Sequence, residues 1–193
     1  MTEDIFIFPL NAVLFPEGTL PLKVFEQRYL EMTKACLRDD RPFGVCLIRE
    51  GREIGTAAVP AAVGCLATIA HWDMPQLGIF HLTARGGQRF RIRSQRVAPN
   101  HLISAAVELI PADPPEPEVD ALCRQVLQAI VEKVGAGHFP APLRFDDAAW
   151  VGYRLAEMLP LEANVKQELL ELTDAGARLA RLRTVLTRQG VAA

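Results

Sequence analysis

Pro111-Ala112-Asp113-Pro114-Pro115-Glu116-Pro117-Glu118 places four prolines in eight residues. A backbone held at the proline φ, with those N–H donors missing, joins neither a sheet ladder nor a helix interior. The stretch therefore reads as a Pro-rich linker over 111–118, and the hydrophobic period changes across it. Before it, apolar residues fall in short β-type runs; after it, they recur at three- and four-residue steps. The chain is accordingly expected to be α+β, with a β-barrel subdomain over 1–110 and a helical subdomain over 119–193.

Upstream of the linker, candidate strands are Ile5 to Phe8, Leu20 to Val24, Phe43 to Arg49, Val63 to His71, Leu77 to Ala84, Gln88 to Val97 and Leu102 to Ile110. Each has the length and β-branched content of a strand. Seven such runs in so short a stretch suggest a closed or nearly closed barrel. Arg85-Gly86-Gly87-Gln88 lies between two alternating runs and predicts a tight hairpin turn, because adjacent glycines supply positive φ angles. One helix interrupts the strands. It opens near Glu26 and runs to about Arg38, with Tyr29, Leu30, Thr33, Cys36 and Leu37 as its apolar stripe, and Asp39-Asp40-Arg41-Pro42 stops it. Such a helix is suited to plug an open barrel end.

Downstream, Leu122, Val126, Ile130 and Val134 form one helical face closed by Gly135. Asp146 is placed to cap a second helix carrying Trp150, Val151, Leu155, Met158 and Leu159 up to Pro160. A third helix is expected from about Leu161 to Leu172. Thr173-Asp174 offers an N-cap to a last one with Leu179, Leu182, Val185 and Leu186 inward, which makes a four-helix assembly.

The chain has 193 residues and a formal net charge of -2, with four lysines and seventeen arginines spread along it, so no basic tail announces a polyanion partner. No apolar run approaches the roughly 20 residues that span a bilayer. Glu3 and Asp4 are wrong for the basic start of a signal peptide, so a cytoplasmic location is expected. Cys36, Cys46, Cys65 and Cys123 have no C-x-x-C spacing and read as buried free thiols. His71 and His81 have no carboxylate or thiol at ligand spacing, so neither a metal nor a cofactor is expected.

Three groups of residues, in order, resemble one family over nearly the whole chain. Phe6-Ile7-Phe8-Pro9-Leu10, Val13-Leu14-Phe15-Pro16-Glu17-Gly18 and Leu20-Pro21-Leu22-Lys23-Val24-Phe25-Glu26-Gln27-Arg28-Tyr29 resemble the opening of the Lon protease amino-terminal domain. Gly64-Cys65-Leu66-Ala67-Thr68-Ile69, with Gly78, Leu82 and Gly87-Gln88-Arg89-Phe90-Arg91-Ile92, is similar to its central hairpin. Leu159-Pro160-Leu161 and Lys166-Gln167-Glu168-Leu169-Leu170-Glu171-Leu172-Thr173-Asp174 are similar to its helical close. The resemblance implies a PUA-like β pseudo-barrel followed by a small C-terminal helical bundle. It also implies a free-standing, non-catalytic module for unfolded or tagged polypeptides, with a protease or chaperone component as a further partner. No Gly-Lys dipeptide occurs, so there is no G-x-x-x-x-G-K-[ST] phosphate loop, and no lysine has a serine in a recognisable nucleophile setting.

Two sets of residues are candidates for binding. Val13, Leu14, Phe15, Pro16 and Leu20 stand in or beside a proline-flanked loop, where apolar side chains form either a peptide-docking patch or a lid folded into the barrel. Arg89, Arg91 and Arg93 alternate with Phe90 and Ile92, which puts three guanidiniums on one strand face as a stripe for an anionic partner. PUA-like barrels in other families bind RNA, so the stripe supports a rival reading as a nucleic-acid module, disfavoured by the negative net charge and sparse aromatics. Glu26 and Arg28 read as a structural pair at a helix start. A small hydrolase is the weakest rival, because no catalytic dyad or carboxylate pair emerges from the spacing.

Overall fold

The computed structural model describes residues 2–115, 118–188 and 190; Glu116 and Pro117 of the linker, and 191–193 of the helical stretch, lie outside the described residues, as do Met1 and Gln189. The chain divides into two compact units, Met1–Pro111 and Ala112–Ala193.

The first unit contains β1 (Thr2–Leu10), β2 (Thr19–Val24), α1 (Gln27–Asp39), β3 (Phe43–Glu50), β4 (Val59–Pro60), β5 (Val63–Gln76), β6 (Ile79–Val97) and β7 (Ile103–Leu109). The strands run in the order β1-β7-β6-β5-β3, and a parallel pairing of β1 with β3 joins the two ends into a ring. The other ring pairings are antiparallel. β2 adds to β6, and the two-residue β4, too short to show a period in the sequence, adds to β3.

The hairpin turn expected at Arg85–Gln88 is not there. β6 runs straight through it, and the β5–β6 turn falls at Leu77-Gly78, where Gly78 has φ 81°. Gly86 and Gly87 are outside the left-handed region and serve another purpose. The Gly86 N–H donates to the Gly18 carbonyl and the Gly86 carbonyl accepts from the Glu17 N–H, both at 2.8 Å. A Cβ at Gly86 would overlap the Phe15 carbonyl oxygen. The register then shifts between Cys65 and Ala67, so that Gly87 and Gln88 together oppose Leu66 as a bulge. Glycine is required here for close main-chain approach, a cue that looks the same as a turn cue in sequence.

Alternate residues of the strands separate into two buried clusters. Ile5 and Ile7 meet Cys46, Phe90, Ile103, Ala105 and Val107. Gly44 and Gly64 leave room for the Phe90 ring, since a Cβ on either would approach it to 2.5 or 2.7 Å. The second cluster joins Phe8, Phe43, Val45, Cys65, Phe80 and Leu82 to Tyr29, Leu30, Met32 and Cys36 of α1. The Phe8 and Tyr29 rings stack at 4.1 Å. α1 therefore covers a sheet face, in place of the expected barrel plug. It ends at Asp40, which takes the left-handed conformation with φ 47°.

The second unit holds α2 (Ala121–Val134), a 3-10 turn at Ala136–His138, α3 (Ala148–Met158), α4 (Ala163–Glu171) and α5 (Ala175–Arg188). Asp120, Asp147 and Asp174 cap α2, α3 and α5 by accepting from the N–H groups of Cys123, Trp150 and Ala177. The cap of α3 is thus one residue beyond the expected Asp146. α2 buries Leu122, Cys123, Leu127 and Val131, a face rotated from the expected one, and Val134 is 40% exposed.

Besides its buried leucines, this unit encloses a charge pair. Arg178 is fully buried and pairs with the equally buried Asp113 at 2.5 Å. Its guanidinium also donates to the carbonyls of Leu169, at 2.9 Å, and Leu172, and lies 4.1 Å from the centre of the Tyr153 ring. The Tyr153 hydroxyl donates to Asp113 at 3.4 Å. Asp113, in the stretch read as a linker, is therefore an internal residue of the helical unit. Gly152 lets α3 approach this arginine, with a Cβ position 3.1 Å from Arg178 Cδ.

Candidate functional site

The proline-flanked loop does not form an open patch. Leu14 is 2% and Phe15 1% exposed, and Val13, Pro16 and Leu20 are half-buried. Leu14 joins the cluster under α1, and the main chain of Glu17 and Gly18 is bonded to Gly86. Of the two forms weighed for this loop, the geometry is that of a lid folded onto the sheet.

The arginine stripe is also broken. Arg91 and Arg93 are exposed, but Arg89 is 2% exposed. Arg89 sits where the chain leaves the sheet, its carbonyl accepting from the Ile110 N–H at 2.8 Å. Strand parity places all three on one side but says nothing of what covers that side. Arg93 is ion-paired with Glu108 across the β6–β7 ladder, so its charge is locally neutralised.

All four cysteines are free and buried, as their spacing implied. Burial pushes the Cys36 thiol up to about 11, that of Cys123 up to about 12, and that of Cys46 higher still, which leaves them poor nucleophiles. Among the described residues no three His, Cys, Asp or Glu side chains are grouped to hold a metal ion.

What does stand open is a groove of about 350 Å³ in the first unit. β1 contributes Phe8 and Leu10 to its lining, followed in the chain by Ala12. β2 and the residues after it contribute every position from Leu20 to Glu26, and Tyr29, Glu53 and Ile54 complete it. Phe25 is 47% and Ile54 62% exposed, large apolar side chains left in water at the rim. Of the five loop residues singled out in the sequence, Leu20 alone lines it.

A set of hydrogen bonds holds the segment bearing Ile54 in place. Arg28, 4% exposed, pairs with Glu26 at 3.1 Å and donates to the carbonyls of Glu53 at 3.3 Å and His101 at 3.1 Å. The same Glu26 oxygen, Oε2, also accepts from the Gly55 N–H at 3.3 Å, and the Glu53 carboxylate accepts from the Asn11 N–H at 2.6 Å. The structural reading of the Glu26 and Arg28 pair thus gains a specific purpose, fixing the groove's rim. The Arg28 guanidinium lies 4.5 Å from the Tyr29 ring centre, and burial pushes the Tyr29 phenol up to about 12. Phe25 and Ile54 were missed in the sequence. The available signal was a lone aliphatic residue in the polar stretch between Gly51 and Gly55, both of which have positive φ.

A family model described as the ATP-dependent protease La (LON) substrate-binding domain matches residues 4–188. The chain is 28% identical to the Lon protease of Paraburkholderia phytofirmans over 193 residues, 93% of this chain and 24% of that protein. It is 29% identical to Lon protease 2 of Herpetosiphon aurantiacus over 198 residues, 97% of this chain and 24% of that protein. The chain thus spans about a quarter of the length of these curated relatives. Among solved structures it is similar to a Lon N-terminal domain protein from Xanthomonas campestris, with a TM-score of 0.77 and 35% identity, covering 94% of this chain and 98% of that one. The N-terminal domain of a Mycobacterium avium complex Lon protease shares the fold at a TM-score of 0.70 and 17% identity, over 96% of this chain and 97% of that one. By its match over 4–188, and by the ring of strands followed by helices that it shares with these structures, the chain belongs to the Lon substrate-binding domain family.

Proposed function

We propose that this chain is a non-catalytic module that binds unfolded or tagged polypeptides, and that the groove beside β2 is where it does so. The observation that carries this reading is the pair of exposed apolar side chains, Phe25 and Ile54, on the rim of a groove floored by Phe8, Leu10 and Leu20. Contiguous exposed apolar surface is costly to leave in water and tends to mark an interaction site. The family's description as a substrate-binding domain, and the span of its match, support a role in recognition rather than chemistry. Four buried free thiols suit a reducing compartment such as the cytoplasm. A protease or chaperone component is the natural recipient of a captured chain.

The experiment is binding of a reduced, alkylated and permanently unfolded protein to the full chain and to Phe25→Ser with Ile54→Ser. Both side chains are rim-exposed, so the double variant should keep its melting temperature within a few degrees and lose at least about tenfold in affinity, the equivalent of about 1.4 kcal/mol. Unchanged affinity in a folded double variant rejects the groove as the binding site.

A further inference from the structure

Consecutive residues of a strand point to opposite faces, so a groove on one face touches every second residue. The groove here touches Leu20, Pro21, Leu22, Lys23 and Val24 without a gap. Leu20, Leu22 and Val24 turn toward the core, while Pro21 and Lys23 are exposed. A groove that meets both sets runs along the strand's edge, where main chain is presented. That edge is open: among the described residues β2 pairs with β6 alone.

The carboxylates along this edge are held by groups of the protein itself. Both carboxylates of the lining are engaged, Glu26 by Arg28 and the Gly55 N–H, and Glu53 by the Asn11 N–H. Lys23, exposed and on the outward face of β2, is left to complement a negative charge on an occupant. Pro21 lacks an N–H and interrupts the edge, which favours a short added segment over open-ended sheet growth.

We propose that the groove takes its polypeptide as an added β-strand on the open edge of β2, in an alternating pattern whose apolar side chains face Phe8, Leu10 and Leu22 and whose intervening carboxylate faces Lys23. The inference rests on the reading of the groove as a polypeptide site. It states the mode of recognition: main-chain hydrogen bonds supply affinity tolerant of sequence, and the alternation supplies selection. An internal acidic residue of an extended segment is the source of the carboxylate.

The test uses the full chain and short fluorescent peptides with a Leu-Asp-Leu core in flexible flanks, read by anisotropy. N-methylation of alternate peptide nitrogens removes the donors of one strand edge at a time. Methylation on one parity should weaken binding at least about tenfold and on the other parity should change it little, because losing two or more main-chain bonds is enough for that ratio. Lys23→Glu should turn the preference from Leu-Asp-Leu to Leu-Lys-Leu. Equal binding of both methylated peptides, a preference unmoved by Lys23→Glu, or no binding of the Leu-Asp-Leu peptide each overturns the added strand. A peptide that still depends on Phe25 and Ile54 but ignores methylation would keep the groove and reject the strand. Failure of the unfolded protein itself to depend on those two residues is the separate result that removes the underlying reading.

Discussion

In the first unit Phe90 is accommodated by taking side chains away, since Gly44 and Gly64 leave the space its ring fills. In the second, Arg178 is accommodated by adding partners: Asp113, Tyr153 and the carbonyls of Leu169 and Leu172. The ring of strands is specified by shape, and a misfit there is felt as a cavity or an overlap. The helical unit adds to its apolar packing a fully buried charge pair, where a misfit is felt as an uncompensated ion. The difference separates positions that tolerate an apolar repair from positions that tolerate only a partnered one.

Phe15→Ser is the strongest challenge to the first half of this comparison. The side chain is 1% exposed, so the change should leave a cavity and an unmet hydroxyl and cost about 4 kcal/mol in urea denaturation. A denaturation midpoint equal to the parent's would mean that the lid contributes nothing to the fold. Asp113→Ala addresses the second half. It strands Arg178 and should cost about 3 kcal/mol, while the double change Asp113→Ala with Arg178→Met should recover much of that loss, because it removes the charge as well as its partner. If the double variant is less stable than Asp113→Ala alone, the arginine's carbonyl contacts rather than the ion pair hold the helices. The smallest effect separates two members of one stripe: Arg91→Glu, on an exposed position, should shift stability by about 0.5 kcal/mol or less. A melting temperature that falls as far for Arg91→Glu as for Arg89→Glu would contradict the burial that distinguishes them.

Most strands, the single early helix and the cap Asp174 follow from local chemistry, so the α+β plan was legible. Period, turn composition and capping are properties of neighbouring residues, and those survive in a linear reading. Apart from the α3 cap, one residue beyond Asp146, the misses discussed next are cases in which a distant segment decides. Gly86 looked like a turn because glycine answers two needs, a positive φ and a close approach, and only the position of Phe15 says which applies. Arg89 has the same parity as Arg91 but lies beside the exit at Ile110. Asp113 sat among prolines with no apolar period to suggest burial, and its partner is 65 residues away. The groove shows the same limit. β2 was visible as a strand, but that its edge stays open depends on where every other strand goes.

The pairing of β1 with β3, parallel, and with β7, antiparallel, has a consequence for biosynthesis. β1 is made first, yet its partner Ile103–Leu109 is made roughly a hundred residues later. At about 5 to 20 residues per second, Ile5 and Ile7 wait on the order of 5 to 20 s for the strand that encloses them. In the helical unit Asp113 and Arg178 are 65 residues apart, so the corresponding wait is shorter. During translation the nascent first unit is therefore an incomplete sheet in which the β7 side of its earliest strand is unpaired, and it is in this interval that the chain itself most resembles an unfolded polypeptide.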